Sequence, residues 1–161
     1  MATHLKSVAS LAIAASLSFA VPAFAATTVH VKLADQNTDA ALAGDMGMNM
    51  SADMSQAIMF VTADTQTVPA GEVTFEVSND AKGFVHEMIV AEAPVGGKPL
   101  PYDPKTDLIE EDAAGALGEV SELNPGKSGT VTLDLKPGHY VLFCNLKGHY
   151  MAGMWTTLTV Q

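Results

Sequence analysis

Apolar and polar residues alternate along much of the chain after residue 26, and this alternation predicts β-strands. Every second residue is apolar across residues 27–33, 72–78 and 128–135. Successive side chains of a strand point to opposite faces, so a period of two is typical of strands that bury one face. Shorter apolar runs predict further strands at residues 58–62, 84–91, 140–144 and 154–160.

Residues 94–127 interrupt this pattern with a long excursion rich in proline, glycine and acidic residues. Three prolines between residues 99 and 104 exclude a regular strand there. Asp107 and Glu110 have the spacing of a helix N-terminus, and alanines follow them, so we predict one short helix. About seven or eight short strands with one short helical excursion favour an all-β Greek-key sandwich.

The first 25 residues have the composition of a secretory signal peptide. Lys6 precedes an apolar run over residues 8–19, and Ala23-Phe24-Ala25 supplies a small-x-small cleavage pattern. The run is too short and too rich in alanine and serine for a convincing membrane anchor. We therefore expect export to the periplasm, a mature chain of residues 26–161, and no membrane span after cleavage.

The mature chain is acidic. Loss of Lys6 from the eight basic residues leaves seven against 18 acidic ones, a net charge of −11. This balance argues against binding to nucleic acid or to anionic membranes. It favours a basic partner, or serves solubility alone.

The stretch with the most chemistry is the C-terminal loop, where Cys144, His149 and Met154 are spaced Cys-x4-His-x4-Met between two predicted strands. A thiolate, an imidazole and a weak thioether suit copper that cycles between two oxidation states. The cysteine is the only one in the chain. It has no partner for an internal disulfide, and metal coordination would protect an exported thiol. His86, on the predicted strand 84–91, is the natural second imidazole.

With these residues, the sequence resembles the cupredoxins, small type-1 blue-copper proteins of the plastocyanin/azurin kind. The resemblance covers roughly residues 57–161. It implies one type-1 copper site formed by His86, Cys144, His149 and an axial Met154, and one-electron transfer by Cu(I)/Cu(II). The x4/x4 loop matches only some branches, so Met151 competes with Met154 for the axial position. We favour Met154 because it adjoins the last strand. The resemblance also implies an apolar surface patch around His149, for which residues 150–153 are candidates.

Two functions are compatible with these features. The first is a periplasmic one-electron carrier that meets a transient redox partner, for which the acidic charge favours a basic protein. The second is a copper-delivery or copper-tolerance protein with an acceptor protein as partner. It would use a second Cu(I) site formed by four thioethers, although these side chains could instead fill packing gaps. The four are Met46, Met48, Met50 and Met54.

We do not expect a copper enzyme, because multi-copper sites need additional histidines, often as His-x-His pairs. The mature chain has four separate ones, His30, His86, His139 and His149, and the first and third are predicted to be exposed. We expect a monomer with two parts: residues 26–56, which hold the first strand and the methionine-rich segment, and a copper-binding domain at residues 57–161.

Overall fold

The computed structural model describes residues 26–36 and 57–161. Within these ranges the chain forms eleven strands and one helix. In chain order they are β1 (Thr27–Asp35), β2 (Met59–Ala63), β3 (Thr67–Val68), β4 (Gly71–Asn79), β5 (His86–Glu92), β6 (Tyr102–Asp103), β7 (Leu108–Ile109), α1 (Glu111–Ala114), β8 (Ala116–Leu123), β9 (Ser128–Leu135), β10 (Gly138–Phe143) and β11 (Trp155–Val160).

Nine of these strands form the two sheets of a β-sandwich, which confirms the predicted all-β fold. One sheet has the order β2-β1-β4-β9 and the other β3-β11-β10-β5-β8. The pairs β1–β4 and β3–β11 are parallel, and the remaining pairs in both sheets are antiparallel. The small β6–β7 ribbon lies in the excursion between β5 and β8.

The alternation of β1 and β4 places their apolar residues between the sheets. Val29, Val31 and Leu33 of β1 are at most 1% exposed, as are Val73, Phe75 and Val77 of β4. Because β1 lies between β2 and β4, it is an internal strand of its sheet.

Strand β10 is buried on both faces. Tyr140 and Leu142 belong to the main core between the sheets, together with Cys144 just after the strand. Val141 and Phe143 point the other way, into a second apolar cluster that includes Leu100 and Ile109 of the excursion. The excursion therefore covers the outer face of the strand that leads to Cys144.

Strand β8 was not predicted, since we assigned its residues to the excursion. It is the edge strand of its sheet, and its pairing with β5 contains register irregularities. In β8 only Val120 and Leu123 are buried. An edge strand with a bulge and one half-covered face shows little alternation.

The predicted helix is present but starts later than expected. It covers Glu111–Ala114 and ends at Gly115, whose φ of 67° is the left-handed conformation common after helices. The predicted first turn instead holds β7, and Asp107 has a φ of 61°. At the other predicted boundary, β5 begins at His86, while Phe84 is 38% exposed in the loop before it.

The described residues contain no helix with the length and apolar character needed to cross a membrane. The predicted signal peptide and the four methionines at positions 46–54 lie outside the described residues.

Candidate metal centre

Three predicted ligands meet at one end of the sandwich. The side-chain donor atoms of His86, Cys144 and His149 all lie within 4.8 Å of one another, and all three residues are buried. Nδ1 of His149 is 3.3 Å from Nδ1 of His86 and 3.3 Å from Sγ of Cys144. His86 is the first residue of β5, Cys144 follows β10, and His149 is in the next loop.

Met154 lies in the same core cluster as Cys144 and is fully buried. Its backbone oxygen accepts the Cys144 N–H at 3.0 Å, and its N–H donates to the His149 carbonyl at 3.0 Å. Met151 is only partly buried and packs against the second apolar cluster instead. The surroundings of the two methionines therefore favour Met154 as the fourth donor.

Short-range backbone hydrogen bonds stabilise the loop between Cys144 and Met154. The His149 N–H donates to the Leu146 carbonyl at 2.9 Å, and the Ala152 N–H donates to the Gly148 carbonyl at 3.0 Å. Gly148 and Gly153 have φ values of 78° and 94°. Since residues with a side chain rarely adopt such values, these glycines allow the tight turns on both sides of His149.

The excursion holds this loop from outside. The Gly148 N–H donates to the Asp107 carbonyl at 3.0 Å, and Lys147 Nζ lies 3.6 Å from Asp107 Oδ2. Asp107 Oδ1 in turn accepts the Tyr102 hydroxyl at 2.8 Å. These contacts join the β6–β7 ribbon to the turn that carries His149.

Asn145 is a structural residue that the sequence analysis missed. Its Oδ1 accepts the Ile109 N–H at 2.6 Å, and its Nδ2 donates to the Ile109 carbonyl at 3.0 Å and to Glu111 Oε1 at 2.8 Å. Its backbone N–H donates to Glu87 Oε1 at 3.1 Å. The residue after Cys144 thus connects the ligand loop to the excursion and to the residue after His86.

Burial shifts the pKa of each of the three donors in the direction that favours its uncharged form. Burial raises the pKa of the Cys144 thiol to about 12, although the N–H groups of Glu87 and Leu146 oppose this shift. Burial, together with the charge of His86, lowers the pKa of His149 to about 4. Burial also lowers the pKa of His86, against the opposing effect of Asp35. A metal must therefore displace one proton, from the thiol.

Glu87 is a buried acid beside the site. It is 9% exposed. Burial raises its pKa to about 7, opposed by its hydrogen bond with Asn145 and reinforced by the charges of Glu119, Glu111 and Glu122. The carboxyl group therefore titrates close to neutral pH.

The prediction that residues 150–153 form an exposed apolar patch is wrong for three of the four residues. Tyr150 and Ala152 are 2% and 4% exposed, and Gly153 is also buried, which leaves Met151 partly exposed. Tyr150 turns into the second apolar cluster, where its ring packs edge-on against Phe143 and its hydroxyl accepts the Leu100 N–H at 3.3 Å. The excursion, rather than solvent, covers this side of the loop.

The other two histidines of the described residues, His30 and His139, lie on the surface, as predicted. His30 Nδ1 is 3.3 Å from Glu76 Oε2, and His139 Nδ1 is 3.3 Å from the Thr159 hydroxyl. Both are exposed. Neither takes part in the cluster of His86, Cys144 and His149.

A family model described as copper binding proteins, plastocyanin/azurin family, matches residues 46–161 of the chain. The chain belongs to this family. Its cluster of His86, Cys144 and His149, with Met154 nearby, corresponds to the type-1 copper site of two histidines, one cysteine and an axial methionine. The donor set fits the metal, because thiolate and thioether ligands favour copper, and imidazole suits both of its oxidation states.

Auracyanin-B of Chloroflexus aurantiacus is 48% identical over 50 residues, which are 30% of this chain and 21% of that protein. The chain thus matches only about a fifth of that curated relative.

Solved structures of auracyanin and rusticyanin share the fold. Auracyanin from Roseiflexus castenholzii superposes with a TM-score of 0.50 at 21% identity, covering 86% of this chain and 99% of that one. Rusticyanin from Thiobacillus ferrooxidans gives 0.51 at 19% identity, covering 86% and 80%. A structure of auracyanin B gives 0.51 at 24% identity, covering 88% and 93%.

Proposed function

We propose that this protein carries single electrons through one type-1 copper site, and that His86, Cys144, His149 and Met154 are the copper ligands. The observation that carries the proposal is the convergence of three buried donor atoms within 4.8 Å, with Met154 in the same core cluster. Copper bound there would supply a reversible one-electron couple.

The protein's part is to hold the donors still. His86 and Cys144 come from neighbouring antiparallel strands, β5 and β10, which belong to the larger sheet. Asn145 and Asp107 connect the ligand loop to the excursion. A frame anchored on several sides limits the change in geometry between the two oxidation states, and four protein donors leave little room for a substrate. Both properties suit an electron carrier rather than an enzyme.

Electrons would enter and leave near His149, whose side of the site approaches the surface, since His149 is 6% exposed whereas His86 and Cys144 are 0% exposed. The net charge of −11 after signal cleavage favours a basic redox partner that binds transiently. The pattern of residues 1–25 supports a periplasmic location. Two structural relatives are described in a reduced state, an auracyanin reduced with dithionite and a reduced rusticyanin.

The test is an absorption spectrum of the copper-loaded mature protein, with electrochemistry on the same sample. We expect an intense visible thiolate-to-copper charge-transfer band and a reversible one-electron wave without loss of metal. Cys144→Ser should abolish the band, because an alcohol does not replace the soft thiolate. A normal band in that variant would refute the ligand assignment.

Copper handling is the second candidate function, and one observation favours it. The described chain leaves the sandwich at Gln36 and returns at Ala57, where Gln36 Nε2 donates to the Ala57 carbonyl at 3.3 Å. The preceding residue, Asp35, lies 3.4 Å from His86. The segment with the four methionines therefore connects to the sandwich at its copper-binding end.

A Cu(I) titration against a competing chelator separates the two functions. The mature protein is compared with a variant in which all four methionines, Met46, Met48, Met50 and Met54, are leucine. A second Cu(I) equivalent that the variant lacks would support copper handling, because thioethers select Cu(I). One equivalent in both proteins would leave the electron carrier as the function.

A further inference from the structure

The two histidines of the copper site have different environments. Nδ1 of each ring faces the other ring at 3.3 Å, so Nδ1 is the inner nitrogen in both. The outer nitrogen of His86, Nε2, lies 3.4 Å from Oδ2 of Asp35. The side chains of His86 and Asp35 are 0% and 3% exposed. A buried carboxylate thus lies behind one of the two imidazoles.

We propose that Asp35 is a positioning residue for the copper centre: its carboxylate faces the Nε2–H of His86, directs the Nδ1 lone pair toward the metal, and favours Cu(II) over Cu(I). The proposal rests on the proposed function, since it assigns His86 to copper. Outer carboxylate partners of this kind orient metal-bound histidines and raise their basicity.

The backbone around Asp35 is well anchored, which is what a positioning residue requires. Asp35 is the last residue of β1 and pairs with Met59 of β2. On either side of it, the Leu33 carbonyl accepts the Asp80 N–H at 2.8 Å, and the Gln36 N–H donates to the Ile58 carbonyl at 3.0 Å. The carboxylate comes from the sheet opposite to His86, so the contact also joins the two sheets at the site.

The negative charge of Asp35 should affect copper binding more than its hydrogen bond to His86 does. A distance of 3.4 Å is long for an N–H···O bond, whereas a buried negative charge acts over this range with little screening. The carboxylate stabilises the more positive metal ion more strongly, so its loss should weaken Cu(II) binding more than Cu(I) binding.

The experiment compares Asp35→Asn and Asp35→Leu with the wild-type copper protein. Loss of such an outer partner typically lowers metal affinity about 10–100-fold, and we expect this loss for Cu(II) with Cu(I) affinity nearly unchanged. At about 59 mV per tenfold for one electron, the reduction potential should rise by about 60–120 mV. The matched control is Asp64→Asn, which removes an exposed carboxylate that accepts the His30 N–H.

A second measurement examines the hydrogen bond. In the reduced, diamagnetic protein, the Nε2 proton of His86 should exchange slowly with solvent in the wild type and in Asp35→Asn, whose amide oxygen still accepts it. The exchange should be fast in Asp35→Leu. If Asp35 had a purely structural role, both variants would have a lower unfolding temperature. The exchange rate of the His86 proton would then not distinguish Asp35→Asn from Asp35→Leu.

The proposal would be overturned if the reduction potential of Asp35→Asn equalled those of the wild type and of Asp64→Asn. In that case a visible band in the wild type would still support the copper assignment. Absence of the visible band in the wild type would instead refute the proposed function. A reduced protein in which the proton of His86 resides on Nδ1 would overturn the role of Asp35 directly, since Nδ1 would then not be the copper donor.

Discussion

Glu87→Gln should stabilise the metal-free protein at alkaline pH and slightly destabilise it at acidic pH. Glu87 is buried beside His86, and its Oε1 accepts the Asn145 N–H at 3.1 Å. Glutamine has the same shape, and its amide oxygen can accept the same hydrogen bond. The substitution thus removes the charge and retains the connection to the ligand loop.

The magnitude follows from the pKa of Glu87, which burial raises from 4.5 to about 7. A raised carboxyl pKa means that the folded state binds a proton that the unfolded state has lost, so stability falls as pH rises from 4.5 through 7. At about 1.4 kcal/mol per unit, the loss at pH 8 is roughly 3 kcal/mol. The glutamine N–H groups also need partners, which costs about 1–2 kcal/mol. We therefore expect a net gain of about 1–2 kcal/mol at pH 8.

The assay is urea unfolding of the metal-free protein at pH 4.5 and pH 8, with reductant present to protect Cys144. His149 has the opposite pH trend, because its pKa is lowered to about 4 and acid destabilises the fold. This contribution is common to both proteins and cancels in the difference. Glu72→Gln, at an exposed position of β4, is the control and should change little. A gain at pH 4.5 as large as at pH 8, or no gain at either pH, would refute the reasoning.

Three further predictions concern the copper site and the core. Met154→Gln should keep one copper and lower its reduction potential, because an oxygen donor favours Cu(II). Met151→Leu should change the potential little. Voltammetry that shows the reverse would make Met151 the axial ligand. Cu(II) affinity should rise about tenfold per pH unit between pH 5 and 9, since binding displaces the Cys144 proton; a chelator competition series that gives a flat profile would contradict a protonated thiol. Gly129→Ala should destabilise the fold by about 1–3 kcal/mol, because a Cβ there would lie 2.5 Å from Val120 Cγ1. Gly138→Ala, whose Cβ would meet its nearest atom at 3.8 Å, should unfold in urea almost as the wild type does.

Much of this protein is determined locally in its sequence. The period-two alternation of β1, β4 and β9 depends only on which face of each strand is buried, so it can be seen without a partner strand. The donor chemistry of the Cys-x4-His-x4-Met loop is likewise a property of side chains close together in the chain. These two features were enough to predict the sandwich and the kind of metal.

The surroundings of the ligands depend on residues far apart in sequence, and only the tertiary structure decides them. Asp35 is 51 positions from His86, and Glu87 is 58 positions from Asn145. No periodicity or spacing relates such pairs, because each contact forms only when the sheets pack and the excursion folds over the loop. The same is true of Tyr150. Its position beside His149 in the sequence suggests a surface residue, but packing against the excursion makes it a core residue. Sequence thus determined most of the long strands and the donor atoms, while the packing of distant segments determined the edge strand β8 and the burial, charge environment and rigidity of the ligands.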